Sequence, residues 1–136
     1  MKLRNLFLLN TVVALLFALG FLLMPGVLLD LFGFINNAGA KLLGRFIGVE
    51  LLVGGLITFL VRDSRDSNAL QAITLANLIA SVVGFIASLG GMISGAMGVL
   101  GWLIVATYLL LSLGFGYFQF VGPRGRLFSS VRHRRI

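Results

Sequence analysis

The sequence predicts an all-α protein, a bundle of four transmembrane helices in a single domain. Hydrophobic residues make up 59% of the 136 residues and charged residues 11%, so the chain has too little polar surface to cover a soluble globule. Four apolar runs are each long enough to cross a hydrocarbon core, which takes about 20 helical residues. These runs are continuously apolar rather than alternating, which favours helices over a barrel. The predicted spans are 6–24, 40–61, 69–89 and 99–120.

The first span resembles a signal peptide, because Lys2 and Arg4 precede it and Ala18-Leu19-Gly20 is similar to a small-residue cleavage site. Its apolar run continues past that site to Met24. We therefore interpret it as a retained transmembrane helix.

The segment 25–39 begins with Pro25-Gly26, which ends the first helix. Residues 27–35 are almost wholly apolar but too few to span, so we expect them to lie in the outer membrane interface. The expected anchors are Leu28, Leu29, Leu31, Phe32 and Phe34.

The two later connections differ in charge. Residues 62–68 alternate in charge and are rich in helix-capping residues, which predicts a tight hairpin with Asp66, Ser67 or Asn68 as the cap of the next helix. Residues 90–98 are glycine-rich and uncharged. We expect this loop to lie against the membrane surface or against another protein.

Basic residues segregate by side, and nine of the eleven Lys and Arg lie on the side of both termini. The opposite side has Lys41, with Arg45 just inside the helix. The positive-inside rule then predicts a multi-pass protein of the cell (inner or plasma) membrane with both termini cytoplasmic. The nine are Lys2, Arg4, Arg62, Arg65, Arg124, Arg126, Arg132, Arg134 and Arg135.

The basic tail, residues 121–136, has a second interpretation beside topology. Its arginines can bind anionic lipid headgroups, at about 1 kcal/mol per basic residue near the surface. Nucleic-acid binding is not expected, because the tail offers only Phe128 as an interleaved aromatic residue.

Small residues predict where helices pack, because helices in lipid associate through close contacts and polar groups. In the second span Gly44, Gly48 and Gly55 fall on one stripe. The other spans carry stripes of the same kind: Asn10, Ala14, Ala18; Thr74, Asn77, Ser81, Gly84, Ser88; Gly101, Tyr108, Ser112, Gly116, Gln119.

Glu50 is the acid at the middle of the second span, the eleventh of the 22 residues 40–61. It lies about 200° around the helix from Gly48, so it does not share the glycine stripe. A carboxyl at that depth must be protonated, paired, or turned away from lipid. One interpretation is a structural carboxyl that fixes helix register, and the other is a proton, ion or ligand site. The expected partners are Asn77, Ser81, Tyr108 and Ser112.

Arg45 precedes Glu50 by five residues, whereas favourable pairs within a helix are three or four apart. We expect Arg45 to reach the membrane surface or to meet Asp30 in the preceding segment.

The chain lacks the residues that several kinds of metal site and catalytic site require. The chain has no cysteine, and its one histidine, His133, lies in the basic tail, so thiolate metal sites, haem ligation and Ser-His-Asp catalysis are not expected. We predict no catalytic residue, no cofactor, no metal and no enzymatic activity.

The layout resembles small DoxX-like bacterial four-helix membrane proteins. The resemblance is carried by Met24-Pro25-Gly26, the stretch 44–55, Gly101-Trp102 and the stretch 114–117. It implies a four-helix bundle and an association with membrane redox or quinone-linked complexes.

Three functions are consistent with these features. The first is a non-catalytic accessory or structural subunit that docks within a larger membrane assembly, or with further copies, through the second span or the glycine-rich loop. The second is a small oligomeric carrier or channel that uses Glu50. The third is a quinone- or lipid-binding subunit.

Overall fold

The computed structural model describes residues 2–121, and its regular structure there is entirely helical. Five helices follow one another: α1 (Leu3–Leu23), α2 (Pro25–Leu31), α3 (Ala38–Val61), α4 (Ser67–Ile93) and α5 (Gly101–Phe120). By length and composition α1, α3, α4 and α5 can each cross a membrane. The prediction of an all-α protein with four apolar spans is confirmed, and α2 adds a short helix inside the segment 25–39.

The helix ends follow from local chemistry. Pro25 stands at the start of α2 directly after Met24, which caps α1. The Asn37 side chain accepts a hydrogen bond from the Ala40 N–H at the start of α3. The Asp66 carboxylate accepts from the N–H groups of Asn68 and Ala69 at the start of α4. These caps satisfy N–H groups that have no partner within their own helix.

The α4 helix is longer than the sequence predicts, because it continues through Gly90 and Gly91 to Ile93. Its stop is Gly95, whose φ of 75° is left-handed. The Gly95 N–H bonds the Met92 carbonyl and the Ala96 N–H bonds the Gly91 carbonyl, which is the Schellman pattern of a helix C-terminus. The connection to α5 is correspondingly shorter than the predicted loop 90–98.

The long helices pack as two pairs, α1 with α3 and α4 with α5, and the pairs meet mainly between α1 and α5. We call the end of the bundle with the start of α1 and the α3–α4 connection the Arg4 end. There the Phe7 and Phe115 ring centroids lie 6.1 Å apart. They belong to a buried cluster of Leu3, Leu6, Phe7, Leu70, Leu111, Phe115 and Phe118.

At the opposite end of the bundle, which we call the Gly98 end, a backbone hydrogen bond joins the two helix pairs. The Gly98 N–H donates to the Phe32 carbonyl at 2.8 Å. Gly33 has a φ of 76°, a conformation that glycine adopts without strain. The segment after α2 therefore contacts the connection between α4 and α5.

The α1–α3 pair is close because α3 presents glycines to α1. A Cβ added at Gly44 would meet Phe21, and one at Gly55 would meet Leu15 and Ala14. At Gly48 an added Cβ would lie 3.1 Å from the Ala18 carbonyl oxygen. Backbone thus lies against backbone at Gly48, the close approach on which helix association in lipid depends.

Candidate functional site

Glu50 lies at the middle of α3, twelve residues after Ala38 and eleven before Val61. At about 1.5 Å per residue it is roughly 17 Å from either helix end. A glutamate side chain is too short to reach an interface from there. The structure nevertheless places Glu50 among the exposed residues.

Glu50 belongs to a stripe of exposed residues that α1 does not cover, which we call the Glu50 face. The members are spaced alternately by four and three residues and lie about 80° to 160° around the axis from the mean direction of the three packed glycines, with Glu50 itself at about 140°. A Cβ added at Gly54, one turn from Glu50, would meet nothing within 4 Å. The Glu50 face consists of Leu43, Ile47, Glu50, Gly54 and Ile57.

Three of the four expected partners of Glu50 donate their side-chain hydrogen bonds to carbonyls of their own helices. The Asn77 amide donates to the Ile73 carbonyl at 2.9 Å, and the Ser81 hydroxyl donates to the Asn77 carbonyl at 2.6 Å. The Ser112 hydroxyl donates to the Tyr108 carbonyl at 2.7 Å.

The Tyr108 ring packs on Gly84 in the contact between α4 and α5. Within residues 2–121 no hydrogen bond joins Glu50 to any of the four expected partners. These side chains therefore belong to the α4–α5 pair, and the predicted five-residue site is not assembled by hydrogen bonds.

The buried polar layer that does join two helices lies between α1 and α3. The Thr11 and Thr58 hydroxyl oxygens are 2.9 Å apart, and the Asn10 amide donates to Thr58 Oγ1 at 3.3 Å. The Gly55 carbonyl, 3.2 Å from Thr11 Oγ1, is an alternative acceptor for the Thr11 proton. Asn10, Thr11 and Thr58 are at most 9% exposed, so this layer is closed to ligands and serves packing.

Sequence reasoning found Asn10 but missed Thr11 and Thr58. A sequence signal for Thr58 exists, because it lies three positions after Gly55 and so on the same side of the helix as the glycine stripe.

Of the two alternatives expected for Arg45, the structure of residues 2–121 shows an exposed side chain and not the contact with Asp30. Asp30 accepts from the Asn36 amide at 2.9 Å, and the described part of the chain shows no ion pair between Asp30 and Arg45. Arg45 is exposed, as snorkelling to the surface requires. At the Arg4 end Arg4 Nε lies 2.6 Å from Asp63 Oδ1.

Residues 2–121 hold no group of three or more His, Asp or Glu side chains able to bind a metal ion. The predicted lipid-binding arginines, Arg124, Arg126, Arg132, Arg134 and Arg135, lie outside the described residues.

Fold and composition together indicate a multi-pass membrane protein with four apolar helices. In comparisons with family models, curated proteins and solved structures, nothing matches this chain. The particular assignment therefore depends on the chain's own site, and the exposed Glu50 face is its most distinctive feature.

Proposed function

We propose that this chain is a small non-catalytic integral membrane subunit that docks within a larger membrane assembly through the Glu50 face. The observation that carries the proposal is the exposure of a carboxyl at the middle of a membrane-spanning helix. The DoxX-like layout adds a redox-linked complex as the kind of assembly to expect.

Lipid cannot stabilise a carboxyl at the middle of a spanning helix. A charged residue at the centre of a spanning helix costs about 2.5 to 3.5 kcal/mol on insertion scales. Hydrocarbon offers a carboxyl no hydrogen bond, whereas a protein partner at the same depth does. A chain that leaves Glu50 on its surface is therefore most stable with a partner protein over the Glu50 face.

The proposed orientation places the Arg4 end in the cytoplasm of a cell with an inner or plasma membrane. Lys2, Arg4, Arg62 and Arg65 lie at that end, and Lys41 lies toward the other. The basic tail would then meet anionic headgroups of the cytoplasmic leaflet.

The test is the mass of the native particle in a mild detergent, for the wild type and for Glu50→Leu and Glu50→Gln. We expect the wild type and Glu50→Gln to run above the mass of one detergent-bound chain, because a neutral amide also hydrogen-bonds a partner. Glu50→Leu should shift to the single-chain mass. Val49→Leu is the matched control, since Val49 is 46% exposed and lies about 100° around α3 from Glu50, outside the Glu50 face.

A wild type and a Glu50→Leu variant that both run as single chains would contradict the docking role. If the Glu50→Leu variant keeps the mass of the larger particle, docking takes place through a surface other than the Glu50 face.

A carrier or channel is the second candidate, because Glu50 is an acid at mid-depth on the surface of the bundle. A conduit past Glu50 would then form between chains rather than inside one. Proton or ion flux into liposomes separates the two functions. A carrier loses flux in Glu50→Gln while the particle keeps its mass, whereas a docking subunit shows no Glu50-dependent flux.

A further inference from the structure

The partner at the Glu50 face follows from the geometry of that face. We infer that a second copy of this chain covers it, related by a two-fold axis along the membrane normal, with the two Glu50 carboxyls hydrogen-bonded to each other. This inference rests on the proposed docking function and names its partner.

The spacing of the Glu50 face fits a pair of α3 helices. Leu43, Ile47, Glu50, Gly54 and Ile57 are separated by four, three, four and three residues, the seven-residue period that packs two helices with a left-handed crossing. Gly54 stands one turn from Glu50 and faces open space. A residue without a side chain beside the carboxyl lets two helix backbones approach closely there.

Membrane insertion favours an identical partner. Copies of one sequence carry the same distribution of basic residues and so insert in the same direction. A two-fold axis along the membrane normal then brings each residue of the seam to the same depth as its counterpart. Glu50 therefore meets Glu50 of the second copy, whereas a foreign helix would need its own polar residue at that depth.

Two protonated Glu50 side chains can satisfy each other's hydrogen-bonding groups. A protonated carboxyl has one O–H donor and a carbonyl oxygen that accepts. Two such groups face to face form two reciprocal O–H···O bonds and leave no polar hydrogen without an acceptor. Arg45 of the second copy does not compete, because it lies about 7.5 Å along the helix and about 140° around it from Glu50.

The test uses the absence of cysteine, since the chain has none. Single cysteines are placed in two pairs of positions with matched exposure: Ile47 (48%) with Val49 (46%), and Ile57 (43%) with Leu56 (43%). The first position of each pair lies on the Glu50 face and the second does not. Each variant is oxidised in intact membranes, and the disulfide-linked dimer is measured on gels.

We expect Ile47→Cys and Ile57→Cys to form the linked dimer and Val49→Cys and Leu56→Cys to form little. Adding Glu50→Leu to Ile47→Cys should weaken dimerisation about tenfold, which corresponds to about 1.4 kcal/mol of lost hydrogen bonding. Adding Glu50→Gln should leave the dimer, because two amides also pair. The cysteine scan leaves Glu50 unchanged, so it does not depend on the folding of Glu50→Leu.

Equal linking at both positions of each pair, or none at any, overturns the second copy as partner. A benzophenone attached at Ile47→Cys then separates the remaining cases. A cross-link to a different protein, without self-linking, overturns the second copy and leaves the docking function standing. A cross-link to lipid alone, with a single-chain mass, overturns both.

Discussion

The Thr58 hydroxyl oxygen lies 2.9 Å from the Thr11 hydroxyl oxygen across the interface of α1 and α3. The two residues are 1% and 4% exposed, respectively, so water does not compete for this contact. When Thr11 donates to Thr58, the single Thr58 proton donates within α3 to the Gly54 or Gly55 carbonyl. Lipid solvates separated helices as well as a neighbouring apolar helix does, so burial of apolar surface alone does not hold α1 and α3 together. Hydrogen bonds and close contact between the two backbones do.

Thr58→Val should destabilise the protein by about 0.5 to 2 kcal/mol, the range of interhelical hydrogen bonds in membranes. Valine keeps the shape of threonine but removes the partner of Thr11 and Asn10. The measurement is the free energy of unfolding in mixed micelles. Thr107→Val is the control, because the Thr107 hydroxyl bonds the Leu103 carbonyl of its own helix. Equal losses in the two variants would show that the bonds between helices add nothing.

Gly48→Ala should destabilise the α1–α3 pair by about 1 to 3 kcal/mol, the usual cost of overpacking. The added Cβ would lie 2.9 Å from Leu22 Cγ and 3.1 Å from the Ala18 carbonyl oxygen, and the backbone oxygen cannot turn away as a side chain can. Gly90→Ala is the matched control, because a Cβ there meets nothing within 4 Å. It should stabilise α4 by about 0.5 to 1 kcal/mol, the helix preference of alanine over glycine. Thermal unfolding in detergent measures both, and a gain at Gly48 would contradict the close packing.

Phe115→Ala should loosen the contact between the two helix pairs. The Phe115 side chain is fully buried against Phe7 at the Arg4 end. We expect a loss of about 1 to 3 kcal/mol, below the 3 to 5 typical of soluble cores, because lipid also solvates the separated helices. Phe120→Ala is the control, since Phe120 is 72% exposed. Protease protection of the α3–α4 connection reports the loosening, and equal protection in both variants would contradict it.

Asp66→Ala should destabilise the start of α4 by about 1 kcal/mol, the usual value of an N-cap. Asp66→Asn should restore most of it, because an amide oxygen also accepts from the Asn68 and Ala69 N–H groups. Asp63→Ala, which breaks the exposed pair with Arg4, should cost at most about 1 kcal/mol and less in high salt. Hydrogen exchange of the N–H groups in the first turn of α4 distinguishes the variants. Asp66→Ala should speed this exchange, whereas Asp66→Asn and Asp63→Ala should not.

The span of each long helix was predictable to within a few residues, because the need for an apolar segment across the membrane acts on each stretch of the chain separately. Hydrocarbon demands an unbroken apolar helix, so composition along the chain locates it. The end of α4 was predicted less well. Glycine is abundant from Gly90 onward, and only the folded chain shows that Gly95, rather than Gly90, takes the left-handed conformation.

Part of the candidate site was also predictable. The spacing of Gly44, Gly48 and Gly55 placed them on one stripe, and α1 lies against that stripe. The position of Glu50 outside the glycine stripe was also predictable, because it follows from the number of residues between Gly48 and Glu50. The partners expected on α4 and α5 were chosen by depth alone, and depth does not say which way a helix is turned.

The sequence by itself determined four apolar spans, a glycine stripe on α3 and an acid at the middle of the same helix on another side. These follow from composition and from the helical repeat, which are properties of the local chain. Only the tertiary structure decided that α1 takes the glycine stripe, that α4 pairs with α5, and that Glu50 remains on the surface. The physical reason is that leucine and lipid are equally apolar, so which face of a helix is covered depends on close packing between elements distant in sequence.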